Sequence, residues 1–528
     1  MGRSIEIYDT TLRDGTQAEN FNLSVEDKIR ITRALDQLGI DFIEGGWPGS
    51  NPVSVEYFEK MQDIKLKNAK LAAFGSTRHF KNSPAEDPNL QALIDAKPQA
   101  ITIFGKSWDI HVIEALNIEL EDNLQIIKDT LEYLRPFVEH LIYDAEHFFD
   151  GYKNNEEYAL ATLLKAAEGG AETLVLCDTN GGTLPHEIAP IILHVKQHLA
   201  DNNHHVKIGI HSHNDSESAV ANALLAVNSG ADHVQGTING YGERCGNANL
   251  TSIIPALIFK MGLSCNLQQH IDRLYSTSRL VNELANLPHN RYQAYVGESA
   301  FAHKGGIHVS AVKRNPLTYE HIEPDKVGNI RRILISDQAG RSNILHKAKL
   351  WGLNLDSKDP VLPSIISELK DLENRGFSFE GAEASFEILM RRAMGLQKQY
   401  FKFETFRVMN HKFSMEQPPL TEATIRLYVH GDEVHTAAMG DGPVNALDKA
   451  IRKALVRFYP CLEEMELADY KVRVLSGEHG TEAKVRVLVE SRDRKCSWST
   501  VGVSVNIIEA SWQALIDAIN YKLMKEKQ

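Results

Sequence analysis

Short apolar segments recur along the first 260 residues at intervals of about 30 residues, and each is followed by a polar or glycine-rich stretch and then by a helical pattern. Eight of them are predicted strands, namely Ile5–Tyr8, Asp41–Glu44, Lys70–Phe74, Ala100–Phe104, His140–Tyr143, Thr173–Cys177, Val206–Ile210 and Asp232–Ile238. Between the first two, Ser24 and Asp27 are spaced as a helix-capping box, and Gly39 supplies a stop signal. Eight such units predict a (β/α)8 TIM barrel, whose active site lies at the carboxyl ends of its strands.

Polar, ionisable and glycine residues stand directly after every predicted strand. These segments are residues 9–15, 44–49, 75–78, 105–107, 144–147, 178–181, 211–215 and 239–247. Single segments have simpler explanations, since Asp178 could cap a helix and Glu44 could pair with Arg78. Together they predict that these side chains converge on one face of the barrel and form its active site.

The clearest ligand pattern is the pair His211 and His213, which follows the seventh predicted strand. Alternate residues of a strand point to the same side, so both imidazoles face one way. The segment Asp9–Gly15, after the first strand, offers a carboxylate, and two histidines with a carboxylate suit a divalent ion that polarises a carbonyl. For the histidine pair alone, the alternative is that both rings hydrogen-bond within the barrel core.

The composition excludes several classes of protein. The chain has 528 residues, with 70 acidic against 57 basic side chains and a net charge of −13, which argues against a nucleic-acid-binding surface. No apolar stretch approaches the roughly 18 residues needed to span a bilayer. The five cysteines show no C-x-x-C spacing, which fits reduced thiols. We therefore expect a cytoplasmic protein that binds neither nucleic acid nor membrane.

Three motifs carry a resemblance to a known family. They are Asp9–Gly15 (DTTLRDG), His211–Asp215 (HSHND) and Gly242–Asn247 (GERCGN). Together they resemble the metal-dependent 2-isopropylmalate, homocitrate and citramalate synthases, and the similarity spans most of the chain. The resemblance implies that Asp14, His211, His213 and Asn247 hold a divalent ion, Mg²⁺, Mn²⁺ or Zn²⁺, because the set contains no thiolate to select zinc.

The resemblance also implies a Claisen condensation, in which acetyl-CoA loses a methyl proton and the resulting carbon attacks the ketone of a 2-oxo acid. Arg13 would stabilise the alkoxide, and Thr179 would bind the carboxylate of the oxo acid. Glu146 matches the family's carboxylate after the fifth strand and is a candidate for the base or its orienter; the alternative is a surface loop charge.

A connecting segment follows the barrel. Residues 297–308 resemble the small subdomain that in this family reaches the active site of the partner subunit, which implies an acid–base role for His303, with Tyr319 beside it. Many relatives carry Glu after that histidine, whereas this chain has Lys304. The alternative is that His303 and His308 only satisfy backbone groups in a helical connector.

The C-terminal region contains an internal repeat. Predicted strands 424–429 and 434–439 precede a helix that opens at 440–446, and predicted strands 470–475 and 483–490 precede a second helix that opens at 500–506. Such a pair of α+β units favours dimer contact. The region resembles a regulatory domain that binds a branched-chain amino acid, isoleucine or leucine; the alternative is a role in dimerisation alone. We expect a barrel over residues 1–275, helical linker subdomains over 276–410 with Lys358–Met409 helical, and a regulatory domain over 411–528.

The substrate is predicted from bulky side chains at strand ends. Phe104, Phe74 and Trp47 would admit pyruvate and exclude 2-oxoisovalerate by steric rejection. The residues within the motifs favour the branch of the family that uses pyruvate and acts in isoleucine biosynthesis. The alternatives are a 2-isopropylmalate synthase acting on 2-oxoisovalerate, an aldol-type acyl-CoA lyase on the same barrel, and a non-enzymatic amino-acid sensor.

Overall fold

The computed structural model describes residues 3–335, 340–475 and 483–526. The chain divides into two compact units. The first comprises Met1–Phe301 with His321–Arg331, and the second comprises Ala302–Glu320 with Arg332–Gln528. Each unit is described by itself.

The first unit contains the predicted closed barrel of eight parallel strands. The strands are β1 Glu6–Asp9, β2 Phe42–Gly46, β3 Lys70–Ser76, β4 Ala100–Lys106, β5 His140–Glu146, β6 Thr173–Asp178, β7 Lys207–Ser212 and β8 His233–Gly236. β1 pairs in parallel with β8 and thereby closes the ring. All eight predicted strands are confirmed, with ends that differ by up to three residues.

Helices connect consecutive strands on the outside of the ring, and two more follow β8. They are α1 Val25–Leu38, α2 Pro52–Met61, α3 Pro88–Asp95, α4 Leu120–Leu134, α5 Phe148–Asn154, α6 Glu156–Glu168, α7 Pro185–Asp201, α8 Ala219–Asn228, α9 Leu250–Phe259 and α10 Leu274–Leu284. The capping box of α1 is confirmed, because Ser24 Oγ accepts from the Asp27 N–H and the Asp27 carboxylate accepts from the Ser24 N–H. Gly39 ends the helix in the left-handed conformation, with φ of 94°.

Two sets of buried side chains stabilise this unit. Alternation along the strands sends one set outward, where Ile7, Ile43 and Leu141 pack in the large core beneath the helices. The other set, which includes Tyr8, Ile142 and Val175, forms a separate cluster. The interior of the barrel is therefore a packed core and not an open channel.

The barrel unit continues past the boundary at residue 275 that the sequence indicated. α10 packs on α1, and the compact unit runs to Phe301. The apolar face of α10, with Leu274 and Val281 buried, explains this difference, because that face is covered only in contact with the barrel's core.

The second unit begins with short connecting elements. They are β9 Ala302–His303, α11 Gly306–Arg314, β10 Arg332–Ile333, α12 Arg341–Leu350, α13 Val361–Asn374 and α14 Glu383–Ala393. β9 and β10 pair in parallel. Helices predominate here, as the sequence predicted.

Two similar α+β units follow. The first is β11 Lys402–His411, β12 Leu420–Val429, β13 Asp432–Gly440 and α15 Pro443–Leu455; the second is β14 Glu466–Val474, β15 Val485–Arg492, β16 Ser497–Ser504 and α16 Ile507–Glu526. Each sheet has three antiparallel strands. Among the described residues, none of the helices combines the length and the hydrophobicity that a membrane span requires.

One strand in each of these units corrects the sequence prediction. β11 lies mostly within Lys358–Met409, which was predicted to be helical, so the first sheet begins at Lys402 and not at residue 411. The segment 500–506, predicted to open a helix, is mainly the end of β16, and the helix begins at Ile507. β11 is an edge strand with most side chains exposed, so it lacks the apolar alternation that signals a strand.

Candidate metal centre at the barrel mouth

Asp14, His211 and His213 come together at the carboxyl ends of the barrel strands. Their ligand atoms lie within 4.8 Å of one another. Asp14 Oδ2 is 3.5 Å from His211 Nε2, which is 3.3 Å from His213 Nε2. β7 carries His211 at its end and His213 just beyond it, while Asp14 is in the loop after β1. This clustering supports a shared ligand role over two separate core histidines.

Asn247 lies beside the same group. Its backbone forms an isolated bridge with His213, and its side-chain Nδ2 donates to the Tyr241 carbonyl at 3.3 Å. Its Oδ1 and the Oδ1 of Asp14 are buried and have no hydrogen-bond partner among the described residues. Burying such oxygens without a partner is costly, and a cation would compensate for it. The four predicted ligands therefore fit a divalent ion.

The protonation states also suit metal binding. Burial lowers the pKa of His211, and it lowers that of His213 to about 4, so both imidazoles are neutral near pH 7. Burial opposes ionisation of Asp14, but the charge of Arg13 holds its pKa below the usual range. A carboxylate and two neutral imidazoles are the forms that bind a metal ion.

The orientation of His211 is set by a second layer of side chains that the sequence analysis did not single out. Gln235, on β8, has its Oε1 3.0 Å from His211 Nδ1 and donates from Nε2 to Asp144 Oδ1 at 2.9 Å. This arrangement favours the imidazole proton on Nδ1 and leaves the lone pair of Nε2 available to a metal ion. Burial, and then the charge of Glu44, raises the pKa of Asp144 well above its ordinary value.

Arg13 is held by Glu44, and not by Asp14 alone. Glu44 is fully buried and accepts from Arg13 Nε, from the Tyr8 hydroxyl at 2.5 Å and from the Thr10 hydroxyl at 2.6 Å. The considered pairing of Glu44 with Arg78 is wrong, because Arg78 instead reaches Asp129 on α4 at 2.8 Å. Glu44 therefore pairs with Arg13, from the loop after β1, and not with Arg78, which follows β3.

A cavity of about 210 Å³ opens beside the ligand cluster. Its lining residues are Arg13, Asp14, Gln17, Trp47, Phe74, Phe104, Asp144, Glu146, Cys177, Thr179, His211, His213 and Glu243. Phe74 and Phe104 stack with ring centroids 5.2 Å apart, and Trp47 meets Phe104 edge-on at 5.5 Å. The guanidinium of Arg13 lies 3.7 Å from the centroid of the Phe74 ring. The cavity thus combines an aromatic wall with an ionisable wall.

Two further predicted residues line this cavity. Glu146 ends β5 and forms an ion pair with Lys106, the last residue of β4. Thr179 follows β6, and its hydroxyl accepts from the His147 backbone N–H at 2.9 Å. The alternative of an unrelated surface charge is not supported for Glu146, since its side chain is only 23% exposed and faces the cavity.

His303 and Tyr319 lie in the second unit, whereas every cavity residue lies in the first. His303 is buried and its Nε2 is 3.0 Å from Glu320 Oε1, within hydrogen-bonding distance. Tyr319 stacks on His308 with ring centroids 4.3 Å apart. Lys304, where the chain departs from many relatives, pairs with Glu380 at 3.0 Å.

Comparison with known families matches three consecutive segments. Residues 4–281 match the HMGL-like family, residues 295–376 match the homocitrate synthase post-HMGL domain-like family, and residues 380–523 match the LeuA allosteric (dimerisation) domain. The order is that of the barrel, the connecting elements and the two α+β units.

Full-length relatives give a finer comparison. The chain is 57% identical to an (R)-citramalate synthase of Geobacter sulfurreducens, with 99% of this chain and 98% of that one covered. It is 55% identical to an (R)-citramalate synthase of Aquifex aeolicus, with 100% and 99% covered. Similarity to a 2-isopropylmalate synthase of Methanocaldococcus jannaschii is 31%, with 99% and 96% covered.

Replacement of Gln235 tests the orientation of His211. We expect Gln235→Leu to weaken Mn²⁺ binding by about 10- to 100-fold, because leucine cannot accept the proton of Nδ1 and the imidazole loses its orientation. The measurement is calorimetric titration of the metal-free protein with Mn²⁺, which does not depend on turnover. Gln197→Leu, at an exposed position on α7, is the matched control. Unchanged affinity in Gln235→Leu would contradict the assigned role.

Proposed function

Because this chain belongs to the (R)-citramalate synthase family, we propose that its barrel joins the methyl carbon of acetyl-CoA to the keto carbon of pyruvate. Hydrolysis of the thioester by water then releases citramalate and CoA. The observation that carries this assignment is the cluster of Asp14, His211 and His213 at the edge of a cavity with an aromatic wall. We place the reaction in isoleucine biosynthesis and in the cytoplasm, in keeping with five cysteines that are all free thiols.

Asp14, His211, His213 and Asn247 would hold the divalent ion, Mg²⁺, Mn²⁺ or Zn²⁺. When bound, this ion supplies Lewis-acid polarisation of the keto group of the oxo acid. The four side chains are already oriented by barrel contacts, so little reorganisation accompanies binding.

Arg13 supplies a fixed positive charge where negative charge develops on the keto oxygen. Burial opposes its ionisation, but Glu44 and then Asp14 raise its pKa, so the guanidinium stays charged. The bonds to Glu44 and the contact with Phe74 restrict its side chain before substrate arrives. A preorganised cation in a shielded cavity stabilises an alkoxide without a reorganisation cost.

The proton transfers are assigned to Glu146 and His303. Glu146 lines the cavity and acts on the methyl proton of acetyl-CoA, as base or as the group that orients the base. In a homodimer, His303 and Tyr319 of the connecting segment would serve the active site of the other subunit, as the family resemblance implies. The contact with Glu320 supports this assignment, because a carboxylate within hydrogen-bonding distance fixes the orientation of the imidazole ring.

Pyruvate is favoured because the wall of the cavity is bulky. Phe74, Phe104 and Trp47 contact one another, so none can turn away without disturbing the others. The methyl group of pyruvate needs less room than the isopropyl group of 2-oxoisovalerate. Sequence identity also favours pyruvate, because it is 57% to an (R)-citramalate synthase and 31% to a 2-isopropylmalate synthase.

The C-terminal region is assigned to dimerisation and feedback control. Residues 380–523 match the LeuA allosteric (dimerisation) domain, and the two three-stranded sheets have largely exposed edge strands in β11 and β14. We assign isoleucine as the effector, with leucine as the alternative. The reason is that inhibition of a first committed step by the end product of its pathway prevents overproduction of that product. A dimer also brings the connecting segment of each chain to its partner.

The reaction is tested by release of CoA, followed as free thiol. Acetyl-CoA is supplied with pyruvate, 2-oxobutyrate, 2-oxoisovalerate or 2-oxoglutarate, with Mg²⁺ or Mn²⁺ and again with EDTA. We expect metal-dependent turnover with the highest kcat/KM for pyruvate. Preference for 2-oxoisovalerate would identify a 2-isopropylmalate synthase, and no turnover with any oxo acid would contradict the proposed reaction.

The aromatic wall is tested by Phe104→Ala. Removing this ring should raise kcat/KM for 2-oxoisovalerate relative to pyruvate by about 10- to 200-fold, because a few methylene groups are worth roughly 1–3 kcal/mol in such a pocket. Phe137→Ala is the control, since Phe137 is 52% exposed and stands before β5, at the opposite end of the barrel. An unchanged substrate ratio in Phe104→Ala would show that this wall does not select the substrate.

Feedback control is tested by adding isoleucine or leucine to the same assay and by measuring molar mass with light scattering. We expect a dimer whose turnover falls with isoleucine more than with leucine. If neither amino acid binds or inhibits while the protein remains dimeric, the C-terminal region serves dimerisation alone.

A further inference from the structure

His147 adopts an uncommon backbone conformation at the barrel mouth. It directly follows β5 and has φ of 56° and ψ of 32°, in the left-handed region that residues other than glycine rarely occupy. The chain turns here from the strand into α5. Conformations of this kind persist where the surroundings hold them, and they concentrate at functional sites.

The turn directs the backbone N–H of His147 to the hydroxyl of Thr179, at 2.9 Å. A threonine hydroxyl has one hydrogen and two lone pairs. Because the N–H occupies one lone pair, the hydroxyl hydrogen must point in another direction, and no described residue accepts it. Thr179 lines the cavity, so its hydroxyl is available there as a hydrogen-bond donor.

Further side-chain contacts hold the loop after β5, which carries His147, and the loop after β6, which carries Thr179. Asp150 Oδ2 accepts from Asn180 Nδ2 at 3.0 Å and lies 3.4 Å from His147 Nδ1, which joins the loop after β5 to the loop after β6. On the other side, Arg244 donates to the Thr179 carbonyl at 2.7 Å. The direction of the Thr179 hydroxyl is therefore set by contacts on both sides of it.

We propose that His147 is a positioning residue whose left-handed backbone makes the Thr179 hydroxyl a donor to the carboxylate of the 2-oxo acid. The proposal rests on the proposed function, in which Thr179 binds that carboxylate. The His147 ring packs against His111, with centroids 4.2 Å apart, and is absent from the cavity lining. His147 thus acts through its peptide N–H, and a donor fixed in this way favours an anionic group over a neutral one.

The experiment separates the backbone of His147 from its ring. His147→Gly and His147→Asn keep access to the left-handed region and should leave KM for the oxo acid within about threefold of wild type. His147→Val cannot adopt this conformation without strain and should raise that KM by at least about tenfold, with KM for acetyl-CoA nearly unchanged. Thr179→Val should raise the same KM to a similar extent, whereas Thr179→Ser should not.

A double-mutant cycle excludes a general structural effect. His147→Val combined with Thr179→Val should cost no more than either change alone, because both remove one interaction. Asn203→Val is the matched control, since Asn203 also has positive φ, 60°, but stands after α7 at the opposite end of the barrel. It should leave both KM values unchanged.

Three results would overturn the proposal: an equal rise in KM for His147→Gly and His147→Val, an unchanged KM in Thr179→Val, or additive effects in the double variant. All variants are compared on whichever 2-oxo acid the wild type uses best. A wild type that prefers another oxo acid therefore contradicts the proposed substrate without affecting the test of His147.

Discussion

Closure of the barrel between β1 and β8 is the constraint on which the site depends. The Thr10 N–H donates to the Gly236 carbonyl at 2.9 Å, and the Ile238 N–H donates to the Thr11 hydroxyl at 2.9 Å. These bonds join segments more than 200 residues apart and bring the loop after β1 to the loop after β8. Closure of the ring at this point brings Asp14 and Asn247 beside the histidine pair.

Buried charge is the second constraint at the barrel mouth. Glu44 and Arg13 are removed from water, and each would be costly alone, since breaking a buried pair typically costs about 3–5 kcal/mol. Glu44 is compensated by Arg13, Tyr8 and Thr10, and Asp14 faces both Arg13 and His211. The same contacts that satisfy these charges also hold Arg13 and Asp14 in place. The bonds that compensate these buried charges are therefore the same bonds that fix the positions of the two side chains.

Much of the fold could be predicted because its signals are local. The strands of the barrel are apolar and regularly spaced, and Ser24 with Asp27 marks a helix start within four residues. β11 and β16 gave weaker signals: β11 is an exposed edge strand, and the Thr500–Asn506 segment has alternating valines just before a helix. The end of the barrel unit was also missed, because packing of α10 on α1 has no local signature.

The barrel, the three motifs and the histidine pair could be read from the amino-acid sequence, because strand periodicity and ligand spacing are properties of neighbouring residues. Which distant groups meet follows only from the folded chain. It paired Glu44 with Arg13 and Arg78 with Asp129, and it linked Asp144 through Gln235 to His211. These partners follow from strand register and loop geometry around the closed ring. A linear pattern contains no information on distances across that ring, so such contacts appear only when it is folded.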